Sequence, residues 1–277
     1  MRTSEWIQTG FATLLALAAW LTSLTPHPLP NRRQWTITAL ALIAIIVVSI
    51  TLTLSSHLPP ITASVLRDWL TIPLFLIPYW QAGQFFLQPN PAIERRLLAI
   101  DQRLLPRIAS TSGTNRTRIG FFLEVAYLFC YPLVPLGLLA IYVTGQRAHV
   151  AAFWFVVLIA TYICYATTPF VPALPPRSLI HNPTSTAASV NKGRIFNRWI
   201  LRHGSIHAIS FPSAHVASAF AVALVLLRYS LPAGLLFLAI AIAISLGAVI
   251  GRYHYALDVI AGAILALIVF LASYRCL

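Results

Sequence analysis

An all-α fold, a polytopic membrane helix bundle, is what this sequence predicts, and three observations predict it. Hydrophobic residues make up 58% of the 277 and charged residues only 9%, with a mean hydropathy of +0.80; a soluble domain carries about a quarter charged residues. Apolar windows of roughly 20 residues, long enough to cross a bilayer, recur about eight times. With eight spans, 14 of the 19 Lys and Arg fall on one side and 5 on the other, a bias of the kind short cytoplasmic loops carry.

The first window, Trp6–Leu24, reads as a retained span and not a signal peptide. Its apolar run is long, Glu5 spoils a basic start, and Pro26-His27-Pro28 makes a poor cleavage site. Trp35–Leu54 and Trp69–Leu87 follow, the latter holding Pro73, Pro78, Gln81 and Gln84. Next come Ile119–Val143 (with Glu124 at its middle), Val150–Val171, Ser210–Leu227, Leu231–Ile250 and Tyr255–Tyr274. Leu58–Val65 is expected to be a short Pro-bearing turn. Residues 92–106 alternate apolar Ile93, Leu97, Leu98, Ile100, Leu104 and Leu105 with Glu and Arg at helical spacing, which predicts an amphipathic helix in the membrane interface. Pro172–Ile209 is polar and basic. One helical domain results: residues 1–64 as a two-span addition, and 65–277 as a six-helix catalytic core. Cys130, Cys164 and Cys276 show neither a disulfide framework nor metal spacing and read as packing residues.

Polar chemistry concentrates at two points, Phe211-Pro212-Ser213-Ala214-His215 and His254-Tyr255-Ala256-Leu257-Asp258. Ionisable groups at membrane depth are costly and mark function. His254 and Asp258, four apart at a helix start, share one face. There a carboxylate accepts the imidazole Nδ1–H, fixes the tautomer and makes Nε2 nucleophilic, the arrangement for a phosphohistidine intermediate. His215, in the first turn of its own helix, suits general acid/base work. Ser213 O–H and the N–H groups of Ala214 and His215 would hold phosphate oxygens at a helix N-terminus, with Arg177 and Arg252 neutralising charge. His215 to Arg228 is only 13 residues, about 20 Å of helix against a core of about 30 Å, so His215 is expected a turn or two inside the lipid boundary.

Phe211-Pro-Ser-Ala-His215 with His254-Tyr-x-x-Asp258 resembles the second and third signature motifs of the type-2 phosphatidic acid phosphatase superfamily, and Pro175-Pro176-Arg177 resembles the first. The resemblance covers roughly Trp69 to the C-terminus. It implies a metal-independent enzyme without cofactors, with His254 as nucleophile, Asp258 as its orienter and His215 as acid/base. The substrate it implies is a lipid phosphate or phospholipid, and the setting a multi-pass protein of the cell membrane. Two departures stand out. Where the family has a lysine seven residues before the first-motif arginine, this chain has Phe170; where it has an arginine six before the third-motif histidine, this chain has Ala248. Arg252 or the basic residues Lys192, Arg194, Arg198 and Arg202 are the expected replacements. Pro-Pro-Arg with His-Tyr-x-x-Asp also resembles the phosphotransferase branch that includes inositol phosphorylceramide synthase, where a lipid alcohol resolves the intermediate.

Competing readings are weaker. A proton-coupled transporter would use His254 and Asp258 as a relay, but no inverted repeat is visible; a scaffold needs no matched motifs. His203 and His207 lack a third metal ligand, and their basic loop repels cations. The arginines lie in short loops without interleaved aromatics, which disfavours nucleic acid. The basic side bears both histidine motifs, whereas the resembled family places its site outside the cytoplasm; without Arg177, Arg252 and the four basic residues of 192–202 the bias falls to 8 against 5. Glu124 is expected either to line the headgroup cavity or to pair with an arginine.

Overall fold

A backbone away from water must satisfy its own N–H and C=O groups, which leaves helices or closed barrels. The computed structural model describes residues 1–105, 118–179, 195, 197, 199, 206 and 209–274, and every regular element among them is helical. The long elements are α1 (Thr3–Leu21), α2 (Asn31–Ser55), α3 (Pro60–Gln84), α4 (Pro91–Leu104), α5 (Arg118–Leu128), α6 (Leu133–Val143) and α7 (Val150–Thr167). They continue through the short α8 (Pro176–Leu179) to α9 (Ala214–Tyr229), α10 (Leu231–Ile250) and α11 (Ala256–Ser273). Six helices among the described residues are long and apolar enough to cross a membrane, and up to seven do so if the bent pair α5–α6 is one span. The chain is a multi-pass membrane protein. His203, His207, Cys276 and the basic residues Lys192, Arg194, Arg198 and Arg202 lie outside the described residues.

Three elements differ from expectation, each for a physical reason. Ile119–Val143 is not one straight span: its two halves meet at 69° across residues 129–132. Pro132 cannot donate, and its ring collides with the carbonyl four residues back, which belongs to Leu128, the last residue of α5. Leu58–Val65 is mostly helix, because Pro60 stands at the first helical position, where a missing N–H costs nothing. Ser210–Leu227 begins as a helix only at Ala214, after a turn containing the cis Phe211–Pro212 peptide. The 16 residues of α9 span about 24 Å, too short to cross the core.

α9 is the hub. Its alanines, among them Ala214, Ala217, Ala221 and Ala223, are buried against α7, α10 and α11. Small residues let membrane helices approach closely. At Gly234 of α10 a Cβ would sit 2.3 Å from the Leu227 backbone nitrogen, so only glycine fits there. A second cluster, including Ala12, Ile37, Ala41, Leu74 and Ile77, joins α1, α2 and α3. Leu42, Ile46, Ile50, Leu246 and Leu271 face outward toward lipid. At the end away from both histidine motifs, Arg67 donates Nε and Nη2 to Glu5 Oε1 and Oε2 at 2.7 Å each, and Arg2 pairs with Asp68. Tyr142 also donates to Asp68, at 2.6 Å.

Candidate active site

The turn from α10 into α11 is set by the Ala248 carbonyl, which accepts from Tyr253 N at 2.8 Å and His254 N at 3.1 Å. Arg252 sits in the left-handed region with φ 59°, an uncommon conformation for a side-chain-bearing residue that closes the helix C-terminus. The chain then enters α11, where Asp258 occupies the first turn. His254 Nδ1 meets Asp258 Oδ2 at 3.0 Å, and Asp258 is fully buried. His254 stands ahead of the N-cap Tyr255 and outside α11, so the turn before the helix, and not a shared helical face, brings its ring to Asp258.

α9 supplies the facing group. Ser213 caps it, its Oγ accepting from Val216 N at 3.4 Å, while Ser213 N donates to the Asp258 carbonyl at 3.0 Å. That bond ties the two motifs together through backbone. Gly262 of α11 permits the approach, since a Cβ there would lie 2.6 Å from Ser213 O. His215 stands edge-on to His254, ring centroids 5.9 Å apart at 86°, with Tyr131 at 5.9 Å on another side. An apolar cavity of about 320 Å³ opens beside His215, walled by Ile72, Phe75, Tyr79, Tyr131, Val134 and Tyr165, with Ser218 also in its lining.

Arg177 joins the same end of the bundle. Its N–H donates to the Arg252 carbonyl at 3.2 Å, and its guanidinium lies 4.3 Å from the centroid of the Tyr253 ring. Arg252 therefore contributes its backbone carbonyl here. The Ala214 N–H, expected to face phosphate, instead donates to Ser210 Oγ at 2.9 Å, because a hydroxyl one turn earlier reaches it first. Phe170 is 79% exposed and Ala248 fully buried, so neither position presents a polar group. Glu124 accepts from the Tyr253 hydroxyl and from Asn197 Nδ2 at 2.8 Å; its partners are a tyrosine and an asparagine.

The residues missed in the sequence lie on α4. Asp101 Oδ1 accepts from Ala256 N at 2.8 Å, so it caps α11 from another helix. Glu94 Oε1 accepts from Leu174 N at 2.9 Å, and the Tyr255 hydroxyl donates to Leu174 O at 3.0 Å. Burial pushes the Asp101 carboxyl up to about 6 and the Asp258 charge adds to this, against the Ala256 N–H bond and Arg252, which hold it down. The only signal in the sequence was Glu and Asp on the polar face of an amphipathic helix, and long-range caps leave no local spacing to read.

A helical multi-pass membrane protein with two histidines and a buried carboxylate gathered at one end of the bundle is the class defined by fold and site. The family model of the PAP2 superfamily matches residues 95–272, more than half of the chain, and the chain belongs to that superfamily. It is accordingly a phosphatase-type phosphoesterase. No curated protein and no solved structure matches it.

Proposed function

We propose that the enzyme cleaves a phosphoester of a lipid through a phosphohistidine on His254. Asp258 holds Nδ1–H, leaving the Nε2 lone pair to attack phosphorus as the bond to the lipid oxygen breaks. His215 gives its proton to that leaving oxygen. It then takes a proton from the incoming water or lipid alcohol, whose oxygen attacks phosphorus and breaks the P–N bond. Arg177 and Arg252 neutralise the phosphoryl oxygens, and the Ser213 hydroxyl has a hydrogen left to donate after capping α9. Residues 65–277 act as the catalytic unit, and residues 1–64 are an addition to it.

The observation that carries this reading is the His254–Asp258 pair facing His215 beside an apolar cavity. Such a cavity suits the hydrocarbon of a lipid alcohol, with the phosphate at its polar mouth. Incubating the detergent-solubilised protein with labelled phosphatidic acid and phospholipids tests it, with and without diacylglycerol or ceramide as acceptor. Free phosphate identifies water as the acceptor, and a new phospholipid identifies an alcohol, as in the inositol phosphorylceramide synthase-like branch. Turnover that persists in His254→Ala would sink the mechanism.

A further inference from the structure

Glu124 is a buried carboxylate, 5% exposed, that the proposed chemistry leaves unused. It fixes the Tyr253 hydroxyl. Tyr253 is stacked on Tyr127, ring centroids 4.1 Å apart and 6° from parallel. With one face covered so closely, the Arg177 guanidinium, 4.3 Å from the same centroid, occupies the other. The rings thus form a column from Arg177 through Tyr253 to Tyr127, whose edge meets His215 at 6.2 Å.

We propose that Tyr253, held by Glu124, is a positioning residue that fixes the Arg177 guanidinium at the phosphate subsite beside His254. The proposal rests on the active-site reading above. An unrestrained arginine carries substantial rotamer entropy, and ordering it beforehand removes that cost from the binding step. The demand is greater here than in a chain with cations at both departed positions, because Phe170 and Ala248 supply none. Tyr253 sits directly before His254 in the chain, so the same short segment places nucleophile and guanidinium together.

Inorganic phosphate, titrated calorimetrically into the full detergent-solubilised chain, is the probe, alongside steady-state turnover. Tyr253→Leu removes the face and should raise the phosphate Kd and the KM about twofold to thirtyfold, the range of a cation–π contact, with kcat changed less. Tyr253→Trp keeps a face but not the hydroxyl that Glu124 holds, and should recover part of the loss. In an Arg177→Ala background Tyr253→Leu should add nothing. An additive loss there, or unchanged binding in Tyr253→Leu, would overturn the proposal. Where Tyr253→Leu fails to fold, Tyr253→Phe and Glu124→Gln carry the test: each should weaken phosphate binding several-fold and the pair no more than either alone, and additive losses would overturn it. Absence of phosphate binding in the wild type is a separate result and would overturn the active-site reading itself.

Discussion

His254 depends on Asp258 for a tautomer as much as for a charge, because only Nδ1–H donation leaves Nε2 free. On the proposed mechanism, His254→Ala abolishes turnover, and His215→Ala and Asp258→Asn each lower kcat by about 10²–10⁴, with the folded fraction unchanged in gel filtration. Asp101 gives a prediction of a different kind. Its folded value of about 6 lies above the ordinary aspartate value of 3.8, so the folded state holds the proton more tightly between those limits. Its contribution to stability is therefore present at low pH and is lost as pH rises through about 6. Asp101→Asn keeps an acceptor oxygen and does not titrate, so wild type should lose thermal stability relative to this variant from pH 4 to 6. Equal slopes of melting temperature against pH would refute it. The gathering of His254, Asp258, His215 and Arg177 at one end of the bundle was legible because short spacing and helix-start chemistry suffice to single them out. Asp101 and Tyr253 were not, because their roles depend on partners 155 and 129 residues away.

Among the elements, α11 and α9 meet at a contact that tolerates almost nothing. A methyl at residue 262 would press on the Ser213 carbonyl, and that strand of backbone holds both motifs in register. Gly262→Ala should cost about 1–3 kcal/mol, the usual penalty of overpacking, and reduce kcat beyond what the melting shift accounts for; unchanged activity would show the register to be unimportant. Helix order and type were largely readable from hydropathy, since every apolar window holds a helix, although Ser210–Leu227 is helical only from Ala214. The break between α5 and α6 was not anticipated although Pro132 and Pro135 are plain in the sequence. Prolines within membrane helices are often absorbed, as Pro73 and Pro78 are in the continuous α3.

Over the whole molecule, the two ends of the bundle are built for different ends. The end away from the motifs is locked by Glu5, Arg67, Arg2 and Asp68, which join α1 to α3. Glu5→Ala strands the partly exposed Arg67 without its bidentate partner and should destabilise by about 1–2 kcal/mol, the cost of leaving a half-buried charge unpaired, measurable as a lower midpoint in detergent unfolding. Among the described residues, the motif end is held by backbone bonds, the Asp101 and Glu94 carboxylate caps, the His254–Asp258 pair and the Arg177–Tyr253 contact. That leaves the length of α9, about 24 Å against a hydrocarbon core of about 30 Å. On the proposed mechanism, a short central helix among longer neighbours would make the reaction a gauge of bilayer thickness, each added layer of methylenes setting His215 further from the headgroup plane where a phosphate would arrive. In vesicles of graded acyl length, turnover should on that reading fall as the chains lengthen, and equal rates would refute it.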